Sequence, residues 1–195
     1  LIGLKEQIRV CGIDDAPFDF GNRAAKATVI GTITRAPSYL EGVLKFEVSV
    51  DGDDATEKIQ GALSTSRFLE QLRAVLIDGI ALAGFNIVDI EALSNNLKVP
   101  VITVTREKPD MESIRNALSK YFDDWKERLE KLQMIPLVEL STAHNPIYVS
   151  YAGTTEDIAE KVIRATTIRG AIPEPIRMAH IIASGLVRGE SKGKA

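Results

Sequence analysis

Apolar residues in this chain fall into short runs that stop abruptly at polar ones. Ile8-Arg9-Val10-Cys11-Gly12-Ile13 ends at Asp14-Asp15, and Ala74-Val75-Leu76-Ile77 ends at Asp78-Gly79. Runs of this length bounded by turn residues predict buried strands. Ala16-Pro17-Phe18 breaks the first, because proline cannot continue a ladder. Ala24 to Thr34 and Tyr39 to Val50, rich in β-branched residues and joined through Pro37-Ser38, predict a second and third strand in a meander. Pro100 to Val104 is the next strand, and Leu137–Leu140 and Ile147–Ser150 are short ones around Asn145-Pro146.

Other stretches carry helical spacing. Asp51-Gly52-Asp53-Asp54 is a turn in which Asp53 or Asp54 caps a helix to about Leu63, with Glu57 in capping-box position after Asp54. A short helix is expected from Asn86, with Ile87, Ile90 and Leu93 on its apolar face. From Asp110 to about Met134, Ile114, Leu118, Phe122, Trp125, Leu129 and Leu132 predict one long amphipathic helix with these residues in the core. Thr154 caps a helix to about Thr166, and Pro173-Glu174-Pro175 starts the last one, Ile176 to Val187. Three antiparallel strands, then alternating helices and parallel strands, then helices, make an α/β fold. It is a ribonuclease-H-like mixed sheet flanked by helices, as one domain over residues 1–187 with a flexible tail over 188–195. In that topology the first and fourth strands are neighbours, and Asp14 meets Asp78.

Composition changes this picture little. With 195 residues, 45% of them hydrophobic and 26% charged, the chain has enough apolar content for one full core. A net charge of −3 supplies no global basic field, so nucleic acid would need a local patch. The one cysteine, Cys11, lies inside a strand and reads as a small buried hydrophobe; no intrachain disulfide is available, which points to an intracellular, cytoplasmic protein. No apolar run is long enough to span a membrane, and no signal peptide is recognisable.

The candidate chemistry lies at the strand ends. Two carboxylates on adjacent strands repel unless a cation lies between them, and a divalent metal is the usual answer. Alternative readings stay open for each residue. Asp14 could cap the turn before Pro17, Asp15 could be the ligand instead, since side chains alternate along a strand, and the capping box explains Glu57 equally well. Gly79 permits close approach of a ligand. Arg106 and Lys108 follow the carboxyl end of a parallel strand, where open α/β sheets bind ligands, and are candidate phosphate contacts. His180 shares its helix with Ile176, Met178, Ile181 and Ile182 and could be a half-buried structural histidine. His144 belongs to a loop, and Lys126, Arg128 and Lys131 read as a solvated helix face.

Taken in order, several of these stretches resemble endonuclease V, and more closely a largely archaeal group, domain-of-unknown-function family ninety-nine. They are Gly12-Ile13-Asp14-Asp15, Leu76-Ile77-Asp78-Gly79, Val99 to Val104, Asn145 to Ser150 and Pro173 to His180. Asp51 to Glu57 and Asp78 to Asn86 look like signatures of the archaeal group. The resemblance implies a phosphodiesterase using Mg²⁺ or Mn²⁺ on DNA or RNA. It puts Asp14, Asp78 and Glu57 on the metal, His180 beside them in catalysis, and Arg106 on a phosphate. The chain departs from endonuclease V at Ile80 and Gly84, which stand where that family has histidines, and in lacking the Pro-Tyr-Ile-Pro wedge before Glu57. Two alternatives stay open, the first favoured by those departures and the acidic net charge, the second because nothing in the sequence specifies a polymer. One is a catalytically inactive nucleic-acid-binding or adaptor protein on the same fold, and the other is a small-molecule phosphohydrolase. The sequence leaves the oligomeric state open.

Overall fold

A computed structural model of the chain describes residues 7–19, 21–22 and 25–191. In chain order its elements are β1 (Ile8–Asp15), β2 (Lys26–Ala36), β3 (Tyr39–Ser49), α1 (Ala55–Ser64), β4 (Ala74–Asp78), β5 (Ala81–Leu82), β6 (Asn86–Ile87), α2 (Ile90–Leu97), β7 (Val101–Thr105), α3 (Met111–Tyr121), α4 (Trp125–Met134), β8 (Val138–Leu140), β9 (Ile147–Ala152), α5 (Glu156–Thr166) and α6 (Glu174–Arg188). Seven strands form one sheet in the order β3-β2-β1-β4-β7-β9-β8, and β5 and β6 form a separate hairpin. The first three strands pair antiparallel, and β1, β4 and β7 run parallel. The mixed sheet expected from the element order is therefore present. At its far edge β9 turns antiparallel to β7.

Alternation along β1 divides the core. Cys11 and Ile13 face a layer built from α1 and α2 through Ile59, Leu63, Ile90 and Leu93. Ile8 and Val10 face α5 and α6 through Val162, Ile163 and Ile176. Cys11 is fully buried, as the sequence reading requires, and burial pushes its thiol up to about 12. The last helix crosses β1 so closely that a Cβ on Gly12 would overlap the Pro175 carbonyl and come within 2.6 Å of Ile176 N. Thr32 Oγ1 donates to Pro175 O at 2.7 Å and fixes that crossing.

Several local expectations give way to tertiary contacts. Asp54 does precede α1, but its carboxylate does not cap it. It accepts instead from Ser49 N (3.0 Å), Ser49 Oγ (2.9 Å) and Asn86 Nδ2 (2.7 Å). The cap comes from Asn86, whose Oδ1 accepts from Ala55 N at 2.9 Å. Asn86 itself lies in the β5–β6 hairpin rather than starting a helix; α2 begins at Ile90 behind Asp89, which accepts from Ala92 N. Asn86 is fully buried and also donates to Ser49 O. Replacing it by alanine orphans Ala55 N and removes one donor each from Ser49 O and Asp54 Oδ1, so chemical denaturation should show a loss of about 2–4 kcal/mol. A loss under about 0.5 kcal/mol would mean that water replaces the side chain.

The single helix expected from Asp110 to Met134 is two. Phe122 takes extended backbone between α3 and α4. Its ring packs edge-on to Phe85 at 5.6 Å, and the Arg128 guanidinium lies 4.6 Å from it. Only Leu118 and Leu129 of the six expected core residues are buried. Arg128 is not on a solvated face: its side chain is 12% exposed and donates to Gly52 O (2.8 Å) and Phe85 O (2.7 Å). Thr155, not Thr154, precedes α5, without a side-chain cap. The expected start of the second strand at Ala24 and residues 192–195 of the expected tail lie outside the described residues.

Candidate active site

Asp14 and Asp78 stand one residue beyond the last paired positions of β1 and β4, Ile13 and Ile77. Parallel neighbours run about 4.8 Å apart, so the two carboxylates share one sheet edge. Asp14 is 4% exposed, and its Oδ2 lies 2.8 Å from His180 Nδ1; its Oδ1 accepts from Asp15 N at 2.8 Å. The contact with His180 depends on the close crossing of α6 over Gly12. Pro175, on the first turn of that helix, rests on the glycine and sets where the imidazole falls further along.

The electrostatics follow from that crowding. Burial, then the charge of Asp14, pushes the Asp78 carboxyl up to about 7, while Arg106 and His180 pull it back. Burial also raises Asp14, against the hydrogen bond from His180. His180 is raised in turn, chiefly by that hydrogen bond. The carboxylate holds a proton on Nδ1, so a neutral ring keeps its lone pair on Nε2. Nε2 is buried and has no hydrogen-bond partner. A cavity of about 290 Å³ opens here, lined by Asp78, Thr105, Arg106, Glu107, Arg177 and His180.

Asp15 points through the opposite face. Its Oδ2 accepts from Ala83 N at 3.0 Å, and the side chain lines a larger cavity of about 870 Å³. Phe18, Phe85, Tyr121 and Phe122 supply aromatic walls, and Asp51 a second carboxylate. Asp51 Oδ1 accepts from Phe85 N at 2.9 Å. The intervening loop is held in left-handed backbone at Ala83 (φ 47) and Gly84 (φ 93), and a Cβ on Gly84 would overlap Asp51 Oδ1. The sequence reading treats Asp51 as a turn residue and Phe122 as core. Phe122 reaches this cavity through the break between α3 and α4, where Asp123-Asp124 follows it in sequence, and Asp51 is placed by its bonds to Ala83 and Phe85.

The structure thus brings Asp14, Asp78, His180 and Arg106 together. Glu57 is not brought to them. It stands about half a turn away from the buried face of α1 (Ala55, Ile59, Leu63), its side chain is 80% exposed and pairs with Lys58, and it lines neither cavity. Lys108 is exposed and lines neither cavity. Gly79 has φ 73 and donates to Val104 O at 2.9 Å, which fixes the chain just after Asp78. His144 lies in an exposed loop, where the sequence reading puts it. Among the described residues no three His, Cys, Asp or Glu side chains are gathered as a metal cage, and no helix is long and apolar enough to cross a membrane.

Comparison with known proteins fits this arrangement. A UPF0215 protein of Methanothermobacter thermautotrophicus is 45% identical over 192 residues, covering 98% of this chain and 94% of its own. A solved protein of unknown function from Archaeoglobus fulgidus superposes with a TM-score of 0.81 at 36% identity, over 92% of this chain and 98% of that one. Ciona intestinalis endonuclease V, solved with DNA containing an inosine, shares the fold with a TM-score of 0.62 at 16% identity, over 94% and 87% of the two chains. The family model described as Endonuclease dU matches residues 6–187, and the chain belongs to that family.

Proposed function

We propose that the protein is a divalent-metal-dependent endonuclease that cuts nucleic acid beside a deaminated base. The observation that carries this reading is the Asp14–His180 hydrogen bond next to Asp78, with His180 Nε2 buried and unpartnered. The donor set fits a hard cation: two carboxylates that resist sharing an edge supply the oxygen ligands such an ion takes, and the unpartnered imidazole nitrogen stands beside them for proton transfer. Mg²⁺ is commonly held by one or two carboxylates, with water and substrate phosphate completing the shell, so a three-acid cage is not required.

Asp14 and Asp78 would hold the ion, and when bound it would polarise the phosphate and favour attack by water. Asp14 keeps the His180 ring oriented through Nδ1, leaving Nε2 to hold or pass a proton. Arg106, on the same cavity, offers positive charge to a phosphate oxygen. The aromatic cavity beyond Asp15 is wide enough for an unstacked base, and bases taken out of the stack are commonly held between aromatic and apolar side chains. The name of the family points to deoxyuridine, and inosine lies in the DNA bound by the Ciona protein. Both are deamination products.

The test uses oligonucleotides carrying one deoxyuridine, one inosine or no altered base, with Mg²⁺, Mn²⁺ or EDTA. Cutting beside an altered base only with metal is the expected result; no cutting of any oligonucleotide with either ion would defeat the reading. One observation favours a second reading, a nucleic-acid-binding protein without chemistry, since Glu57 leaves the site with two carboxylates. Calorimetric titration with Mn²⁺ separates the two. The nuclease reading expects measurable binding that Asp78→Ala abolishes, and the second expects equal, negligible heats.

A further inference from the structure

Asp14 and Asp15 are consecutive residues that face different cavities. Asp14 meets His180, and Asp15 closes one wall of the aromatic cavity. The Asp15 carboxylate is not free to wander: Ala83 N donates to its Oδ2, and the loop that carries Ala83 is tied to Asp51 through Phe85 N. A fixed acceptor therefore stands among Phe18, Phe85, Tyr121 and Phe122, one residue along the strand from the proposed cutting site. A flat ring sandwiched among these side chains must present a hydrogen-bond donor to that carboxylate, or bury it beside another acceptor.

Deamination changes this property of a base. Cytosine N3 and adenine N1 are ring acceptors; in uracil and hypoxanthine the same positions carry N–H. We propose that Asp15 is the specificity-determining residue of the cavity, accepting the ring N–H of a deaminated base and rejecting the lone pair of its parent. The assignment rests on the nuclease reading above. It separates uracil from cytosine and hypoxanthine from adenine. It does not separate uracil from thymine, which keeps the same N–H and differs by a methyl group.

The test places deoxyuridine, deoxycytidine or N3-methyl-deoxyuridine at one position of otherwise identical oligonucleotides. Binding is read by fluorescence anisotropy in EDTA, and cutting is read with Mn²⁺. Wild type should prefer deoxyuridine over both others by about ten- to hundredfold, the range set by burying an acceptor against an acceptor or losing the N–H. Asp15→Asn keeps the size and an acceptor for Ala83 N–H but adds an amide donor that suits cytosine N3. Its preference for deoxyuridine over deoxycytidine should shrink to within about threefold, less than one neutral hydrogen bond is worth. An undiminished preference in folded Asp15→Asn overturns the assignment and leaves the proposed function intact; cutting by wild type with no preference among the three overturns the assignment together with recognition of a deaminated base, and leaves a metal-dependent nuclease. Absence of both binding and cutting by wild type overturns both. The wild-type comparison of deoxyuridine with deoxycytidine needs no variant and stands even if Asp15→Asn does not fold.

Discussion

Asp78→Asn should leave the metal-free protein more stable than wild type at pH 8 and remove its cutting activity. In the folded chain the Asp78 carboxyl sits at about 7, against an ordinary value of 3.8. A raised carboxyl means that the folded state binds the proton more tightly than the unfolded one. Its contribution to stability is complete below pH 3.8, declines as pH rises, and is gone once the folded pKa near 7 is passed. Asparagine carries no charge at any of these values. The variant and wild type should therefore match near pH 4 and diverge by about 1–3 kcal/mol at pH 8 in EDTA, since each tenfold change in proton affinity is worth about 1.4 kcal/mol before solvent screening. Saturating Mg²⁺ or Mn²⁺ should stabilise wild type alone and narrow the gap. Activity should fall by more than the roughly 10–100-fold that follows loss of a group merely supporting a metal ligand. Urea denaturation at pH 4, 6 and 8 checks the first half. Equal stabilities at pH 8, or a less stable variant, would show that burial and the neighbouring Asp14 do not raise the Asp78 carboxyl in the folded chain.

Gly12→Ala should be among the most damaging single-methyl additions in the molecule. The new Cβ would overlap backbone of α6, which cannot swing aside as a side-chain tip does. Thr32, the neighbour of Gly12 on β2, holds the same carbonyl. Either α6 lifts off β1 or β1 bends, and overpacking of this kind costs about 3 kcal/mol or more when backbone must move. Because α6 also carries His180, whatever folded protein remains should show weakened Mn²⁺ binding as well. Denaturation combined with calorimetry reads both. Stability within about 0.5 kcal/mol of wild type, the range of an ordinary surface change, would mean the helix crosses more loosely than described.

The sequence made the strand-end acids legible because a buried strand leaves few roles for a terminal carboxylate. Asp14 and Asp78 needed only the apolar runs before them and the strand order. His180 was different. Nothing in its helix distinguishes it from a structural histidine, and only the resemblance to endonuclease V singled it out; its bond to Asp14 comes from the path of α6 over Gly12. Glu57 shows the opposite failure. Its motif position was suggestive, but the rotation of α1, set by Ala55, Ile59 and Leu63, carries it to solvent. The aromatic cavity could not be read at all. It requires the extended backbone of Phe122 inside a helical pattern, and left-handed backbone at Asp51 and Ala83, where local propensity argues otherwise. These conformations are imposed by Arg128 and the two braced carboxylates, which are long-range partners.

The hydrogen bond between Asp14 and His180 joins residues 166 apart in sequence. A ribosome therefore releases the two halves of this site at different times, the first strand well before α6. An unfinished chain can pair β1 with β2 and β4, yet it holds its two acids with no imidazole beside them. The site proposed here is thus incomplete until α6 has been made and has packed across β1.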